Sequence, residues 1–334
     1  ILFFVVLLVS EIDIVKAQEN LEKRPNVILI LTDDQGYGDL ACHGNTIIDT
    51  PNMDRLHSQS VRFTNFHVSP TCAPTRAALM TGLYTNRTGV WHTIGGRSLL
   101  RKDKVTMAEV FKENEYHTAI FGKWHLGDNY PFRPQDRGFQ EVLTHGAGGV
   151  GQTPDFFDND YYNDTYIHNG KLKEYIGYCT DIWFKEAIKY IERQKHNPFF
   201  CYLSTIAPHS PFYVDNKYIE PYKGIKNIPS NEFYGMITNI DDNIGILTKK
   251  LEDLGIAENT ILIFMTDNGP QQPRYVSNLR GLKSQVYNGG IKVPFYLHYP
   301  KIHENGLDIN SFSAHIDAVS YTHLRAHETE ADLV

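Results

Sequence analysis

The sequence predicts an α/β domain with a largely parallel central sheet flanked by helices. Three observations carry that reading. Continuous apolar runs have strand length, helical patterns lie between them, and polar clusters close the runs. Residues 26–31 (NVILIL) form the first run, ended by Asp33, and an unbroken apolar run suits a strand covered on both faces. Residues 53–60, 74–81 and 106–114 then read as helices. Residues 117–121 are the second strand, 181–194 a helix, 198–204 the third strand and 231–254 the longest helix. The fourth strand is 260–266 (TILIFMT), and 293–299 is a weaker fifth. Alternation of this kind argues for parallel pairing, because parallel neighbours need a crossover between them.

Sheets of this type hold ligands outside the carboxyl ends of their strands. Asp33 and Asp34 follow the first run, and Lys123 and His125 the second. His209 follows the third, and Asp267 and Asn268 the fourth. Four loops thus bring acids, a lysine and histidines to one edge, which predicts a single active site. Asp33, Asp34, Asp267 and Asn268 offer only oxygen ligands, a set suited to calcium or magnesium rather than zinc. Adjacent aspartates at a strand end are also common turn formers, so the second acid–amide pair is what favours a metal. In the string from Cys72 to Arg76 (CAPTR), Pro74 suits a helix's first turn. That puts Cys72 at an anion-attracting N-terminus with Arg76 on the same face. Local physics alone favours a small buried cysteine beside a structural proline.

A net charge of −7 without a lysine- or arginine-rich run argues against a nucleic-acid partner. A small anionic substrate stays open, since a few buried cations and a metal can hold one. Residues 1–9 (ILFFVVLLV) are apolar but too short for a stable membrane span, and Val15-Lys16-Ala17 offers a cleavage-like site. Residues 1–17 are read as a signal-peptide remnant and the protein as exported: secreted, periplasmic or lysosomal. Cys42, Cys72, Cys179 and Cys201 have neither zinc spacing nor that of a disulfide-dense scaffold, and their pairing stays open.

CAPTR also matches C-x-P-x-R, the signature of the sulfatase family, in which that cysteine is oxidised to formylglycine. The resemblance runs from Asn26 to about Asp317 in six ordered blocks. They are RPNVILILTDDQGYGDLACHGN, TCAPTRAALMTGLYTNRTG, GKWHLG, APHSPF, MTDNGP and LRGLKSQVYNGGIKVP. Six blocks in family order are far more specific than one five-residue motif. The resemblance implies an alkaline-phosphatase-like sandwich. It implies one calcium ion on Asp33, Asp34, Asp267 and Asn268, with modified Cys72 completing the shell. Arg76 and Lys123 would hold the formylglycine, and His125 would be the base on its second hydroxyl. His209 and Lys283 would contact the sulfate and leaving oxygen, His209 as proton donor. A sulfated carbohydrate or aryl sulfate is the implied substrate. A formylglycine-generating or equivalent maturation enzyme is the implied partner. The hydrated aldehyde carries two hydroxyls on one carbon, so one can attack sulfur and the other can later expel sulfate. Taken singly, Lys123 and Lys283 read equally as surface lysines, and His125 and His209 as structural histidines.

Family members usually continue into a smaller C-terminal subdomain. Here residues 318–334 (AVSYTHLRAHETEADLV) are polar and lack apolar periodicity, so that subdomain is expected to be missing. The expected division is 1–17 signal remnant, 18–318 truncated catalytic domain and 319–334 a non-native tail. Residues 145–151 and the aromatic-rich stretch 156–166 are expected near the site mouth, where tyrosine faces can stack on sugars. A glycine-rich turn carrying surface tyrosines is an equally good reading. Two rival functions stay open. A phosphodiesterase or phosphonate hydrolase of the same superfamily usually needs a second aspartate–histidine cluster, which is not evident. A non-catalytic binding pseudoenzyme would be expected to lose Cys72, Arg76 or a metal ligand, and none is lost.

Overall fold

The computed structural model describes residues 24–318 apart from 227, 229 and 302–305. The apolar segment 1–17 and the tail from 319 lie outside the described residues. In chain order the strands are β1 (Asn26–Thr32), β2 (Val61–Phe63), β3 (Phe66–His67) and β4 (His117–Gly122). Next come β5 (Glu141–Thr144), β6 (Thr165–His168), β7 (Lys171–Glu174) and β8 (Phe199–Ser204). The last are β9 (Thr260–Thr266), β10 (Phe295–His298), β11 (Asp308–Ile309) and β12 (Ser313–Ala314). A ten-stranded sheet has the order β11-β2-β10-β9-β1-β8-β4-β5-β6-β7, and β3 pairs with β12 separately. From β9 across to β5 every neighbour is parallel. β10 and β6 flank that block antiparallel.

Alternation along the strands explains why helices cover both faces. In β1, Ile28 and Ile30 join one core while Val27, Leu29 and Leu31 join the other. The longer helices are α1 (Pro51–Gln59), α2 (Cys72–Thr81), α3 (Met107–Glu113), α4 (Cys179–Gln194) and α5 (Asn231–Asp253). The first core receives Met53 and Leu56 of α1, Trp183 of α4 and Phe233 of α5. The second receives Ala77 and Leu79 of α2 and Phe111 of α3. Helix starts follow local chemistry. Thr106 Oγ1 accepts from the Glu109 N–H at 3.2 Å, and Glu109 Oε2 accepts from the Thr106 N–H at 2.7 Å, closing a capping box on α3. Ser230 caps α5 by accepting from the Phe233 N–H at 3.1 Å.

The five expected strands and five expected helices are all present, with ends shifted by a residue or two. Apart from β10, which the weaker fifth run foretold, the strands of two to four residues were not foreseen.

His315, after β12, sits buried against the segment that leads into α2. Its Nδ1 lies 3.2 Å from the His67 carbonyl and its Nε2 lies 3.2 Å from Ser69 Oγ. Burial lowers its pKa from the usual 6.5 to about 4. Between those values the unfolded chain binds a proton that the folded chain refuses. This contribution to stability is therefore complete above pH 6.5 and lost toward pH 4, at about 1.4 kcal/mol per pH unit. The thermal midpoint should fall between pH 7 and pH 5, and His315→Gln should flatten that slope in a denaturation series.

Candidate active site

Backbone hydrogen bonds across neighbouring strand ends fix the loops that carry the polar residues. The Asp33 N–H donates to the Ala207 carbonyl at 3.2 Å, and the Thr205 N–H to Leu31 at 2.9 Å. The Lys123 N–H donates to Ser204 at 2.7 Å and the Asp267 N–H to Thr32 at 3.1 Å. The ends of β1, β4, β8 and β9 are thereby stitched into one platform. Cys72 begins α2 at its edge, with Pro74 in the first turn as the sequence suggested.

Each sequence-predicted site residue lies in this cluster or against it. Arg76, fully buried, donates to Asp267 Oδ2 from Nε at 3.0 Å and from Nη2 at 2.7 Å. Its Nη1 donates to the Lys123 carbonyl at 3.2 Å and to Ser204 Oγ at 2.5 Å. Lys123 Nζ donates to Asp33 Oδ2 at 2.5 Å. Lys283 Nζ lies 2.6 Å from Asp34 Oδ1, which also accepts from Asn268 Nδ2 at 2.7 Å. His209 Nε2 stands 3.8 Å from Asp34 Oδ2. His125 adopts a left-handed backbone (φ 60°), and its Nε2 lies 2.8 Å from the Thr93 carbonyl.

Three carboxylates share this buried space. Burial would raise the Asp33 carboxyl, but Lys123, His209 and Arg76 hold it well below the usual range. Burial and the Asp33 charge push Asp267 up to about 7 in spite of Arg76. Asp33 Oδ1, Asp34 Oδ2 and Asn268 Oδ1 are buried without hydrogen-bond partners. Leaving such groups unmet costs about 1–3 kcal/mol each. Ligand atoms of Asp33, Cys72 and Asp267 also lie within 4.8 Å of one another. Converging oxygens, anionic and unpartnered, fit a hard divalent cation.

Three contributors had not been singled out in the sequence. Ser204 receives Arg76, Thr93 orients His125 through its backbone, and Tyr161 Oη donates to the His209 carbonyl at 3.1 Å. Ser204 alone carried a signal, a polar residue closing an apolar run at the sheet edge used by Asp33 and Asp267. The aromatic stretch 156–166 corrects an expectation. Tyr161 and Tyr166 are core residues, Tyr166 packing 4.3 Å from Trp183, whereas Phe156 and Phe157 are exposed. The four cysteines are free thiols.

The Sulfatase family profile matches residues 25–323. Mouse arylsulfatase J is 31% identical over 304 residues, covering 85% of this chain and 49% of that protein. Human N-acetylgalactosamine-6-sulfatase is 31% identical over 309 residues, covering 83% and 57%. The chain therefore spans about half the length of these curated relatives. The crystal structure of Ps i-CgsB in complex with k-i-k-neocarrahexaose superimposes with a TM-score of 0.82 at 28% identity, covering 92% of this chain and 73% of that one. With the profile spanning nearly all described residues and an alkaline-phosphatase-like sheet beneath the site, the chain belongs to the sulfatase family.

Proposed function

We propose that this protein hydrolyses sulfate esters, using a formylglycine made from Cys72 and a calcium ion held by Asp33, Asp34, Asp267 and Asn268. The observation that carries the reading is Cys72 at the start of α2, its sulfur within 4.8 Å of carboxylate oxygens of Asp33 and Asp267. Calcium, when bound, supplies charge that favours an ionised hydroxyl and offsets charge on sulfuryl oxygens.

The protein's own groups have separable tasks. Asp33, Asp34 and Asp267 balance Arg76, Lys123 and Lys283 in charge, so a divalent ion would leave the site positive, as an anionic ester requires. Lys283, with a slightly exposed side chain, is placed to meet the sulfate as it enters. His125 donates its Nε2–H to the Thr93 carbonyl, which leaves Nδ1, buried and without a partner, as the base. Burial and Lys123 keep that ring well below pH 6.5 in its titration, hence neutral and able to accept a proton. His209 directs Nδ1 to the Ser210 carbonyl at 2.5 Å, so Nε2 is the atom that would carry a proton to the leaving oxygen. Burial opposes the protonated ring, and Asp33 and Asp34 favour it.

A sulfated carbohydrate is the proposed substrate class. One relative is named for N-acetylgalactosamine-6-sulfate, and the Ps i-CgsB complex holds an oligosaccharide. Export and a maturation enzyme acting on Cys72 belong to the same proposal. The test is peptide mass spectrometry on Cys72 in protein co-expressed with a maturation enzyme, followed by sulfate release from aryl and sugar sulfates. Aldehyde or its hydrate together with sulfate release supports the reading. An unmodified thiol in a competent host, or faster cleavage of matched phosphate esters, overturns it.

Gly148 gives a sharper local prediction. A Cβ there would lie 2.5 Å from Cε1 and Nε2 of His125, closer than atoms can approach. Gly148→Ala should displace that ring and lower kcat by roughly 10–100-fold with KM little changed, measured on an aryl sulfate.

A further inference from the structure

We propose that Cys42, His43 and His57 form a second metal site, apart from the oxygen-lined one, that takes a zinc-class divalent ion. Cys42 and His43 share the single turn Ala41–His43, and His57 lies in the last turn of α1. One ligand atom from each lies within 4.8 Å of the other two. Tetrahedral zinc sets sulfur and nitrogen ligands about 3.3–3.7 Å apart, so the gap is within reach of side-chain rotation. The spacing C-H-x13-H matches no familiar zinc pattern. Only the fold, by laying α1 against the 41–43 turn, brings the three together.

The surroundings are those of a ligand set. His43 directs Nδ1–H to the Tyr37 carbonyl at 2.7 Å, which makes Nε2 the acceptor nitrogen, and Nε2 accepts from the Tyr296 hydroxyl at 2.8 Å, so an ion would have to displace that hydroxyl. A backbone acceptor on the far nitrogen is the usual support of a metal-binding histidine. The Tyr296 hydroxyl, 2.8 Å from His43 Nε2 and 3.6 Å from Cys42 Sγ, marks the space between two of the ligand atoms. The His57 ring stands edge-on to both His43 and Tyr296, at 5.7 and 5.1 Å. A cleft of about 400 Å³, with Tyr37, Arg62 and Asp308 on its walls, gives an ion a way in. Arg62 is paired with Asp308 at 2.6 Å.

A thiolate with two imidazoles is a borderline-soft set, which separates this site from the hard oxygens around Asp33.

Cobalt(II) is the probe, added to the full chain after dialysis against chelator. A thiolate-to-cobalt band should appear, persist in Cys72→Ala and vanish in Cys42→Ala. Zinc should displace the cobalt. Persistence in Cys72→Ala separates this site from the catalytic cysteine, which also lies among carboxylates. His57→Gln, at a half-buried ring, should weaken cobalt binding at least tenfold while leaving the circular dichroism unchanged. A band lost in Cys72→Ala, or retained in Cys42→Ala, overturns the proposal. If Cys42→Ala does not fold, His57→Gln decides alone, and unaltered cobalt affinity there sinks the site.

Discussion

Cys72→Ala is expected to reduce sulfate release by roughly 10⁴-fold or more while leaving a folded protein. The thiol is nearly inaccessible, and alanine removes only its sulfur, at a cost of about 1 kcal/mol. The Arg76–Asp267 and Lys123–Asp33 pairs do not involve it. Stability and turnover should therefore separate cleanly. Cys72→Ser gives a second reading of the same position. An unconverted serine has one hydroxyl, and release of its sulfate ester would require another attack at sulfur. In a host that does not oxidise serine, that variant should show at most a stoichiometric burst with an aryl sulfate. Retention of more than a tenth of the parent rate in Cys72→Ala would place the nucleophile elsewhere.

Strand legibility depended on burial. β1, β8 and β9 are covered on both faces, so their apolar runs announce themselves. β5 is four residues long and ends in the polar Thr144, so its pattern is too short to separate from a loop. The hairpin of β6 and β7 was readable and went unread. Asn169 and Gly170 both have positive φ, 49° and 79°, which is the Asn-Gly signal for a tight turn. Its mixed polarity and the exposure of β7 hid it behind the tyrosines. β2 gains its place from distant partners, β10 and β11, and three residues cannot declare such pairing.

The site divided along a similar line. Residues whose side-chain chemistry is special, such as Asp33, Arg76 and Asp267, were visible because their types recur at strand ends and in one motif. Groups that act by orienting others were hidden. Thr93 contributes a carbonyl, which every residue has, and Tyr161 reaches His209 from 48 positions away. Gly148 matters only because the His125 ring lies where its side chain would be. Such roles arise from tertiary packing and leave no local pattern.

Arg76→Met should destabilise the fold by about 3–5 kcal/mol and bring sulfate release below detection. The guanidinium is fully enclosed and serves Asp267, Ser204 and the Lys123 carbonyl together. Methionine fills much of the volume but leaves those acceptors unmet, the carboxylate at greatest cost. Arg76→Lys keeps the charge but lacks the planar fork, so it should recover part of the stability and little of the turnover. The double variant Arg76→Met/Asp267→Asn tests the cause. Removing both charges should restore part of the lost stability, giving a non-additive cycle, yet no turnover, since a proposed calcium ligand is altered. Saturating calcium should also narrow the stability gap between parent and Arg76→Met, because a cation offsets the charge left on Asp267. If the double variant is no more stable than Arg76→Met alone, lost packing rather than the unpaired carboxylate is what the arginine prevents.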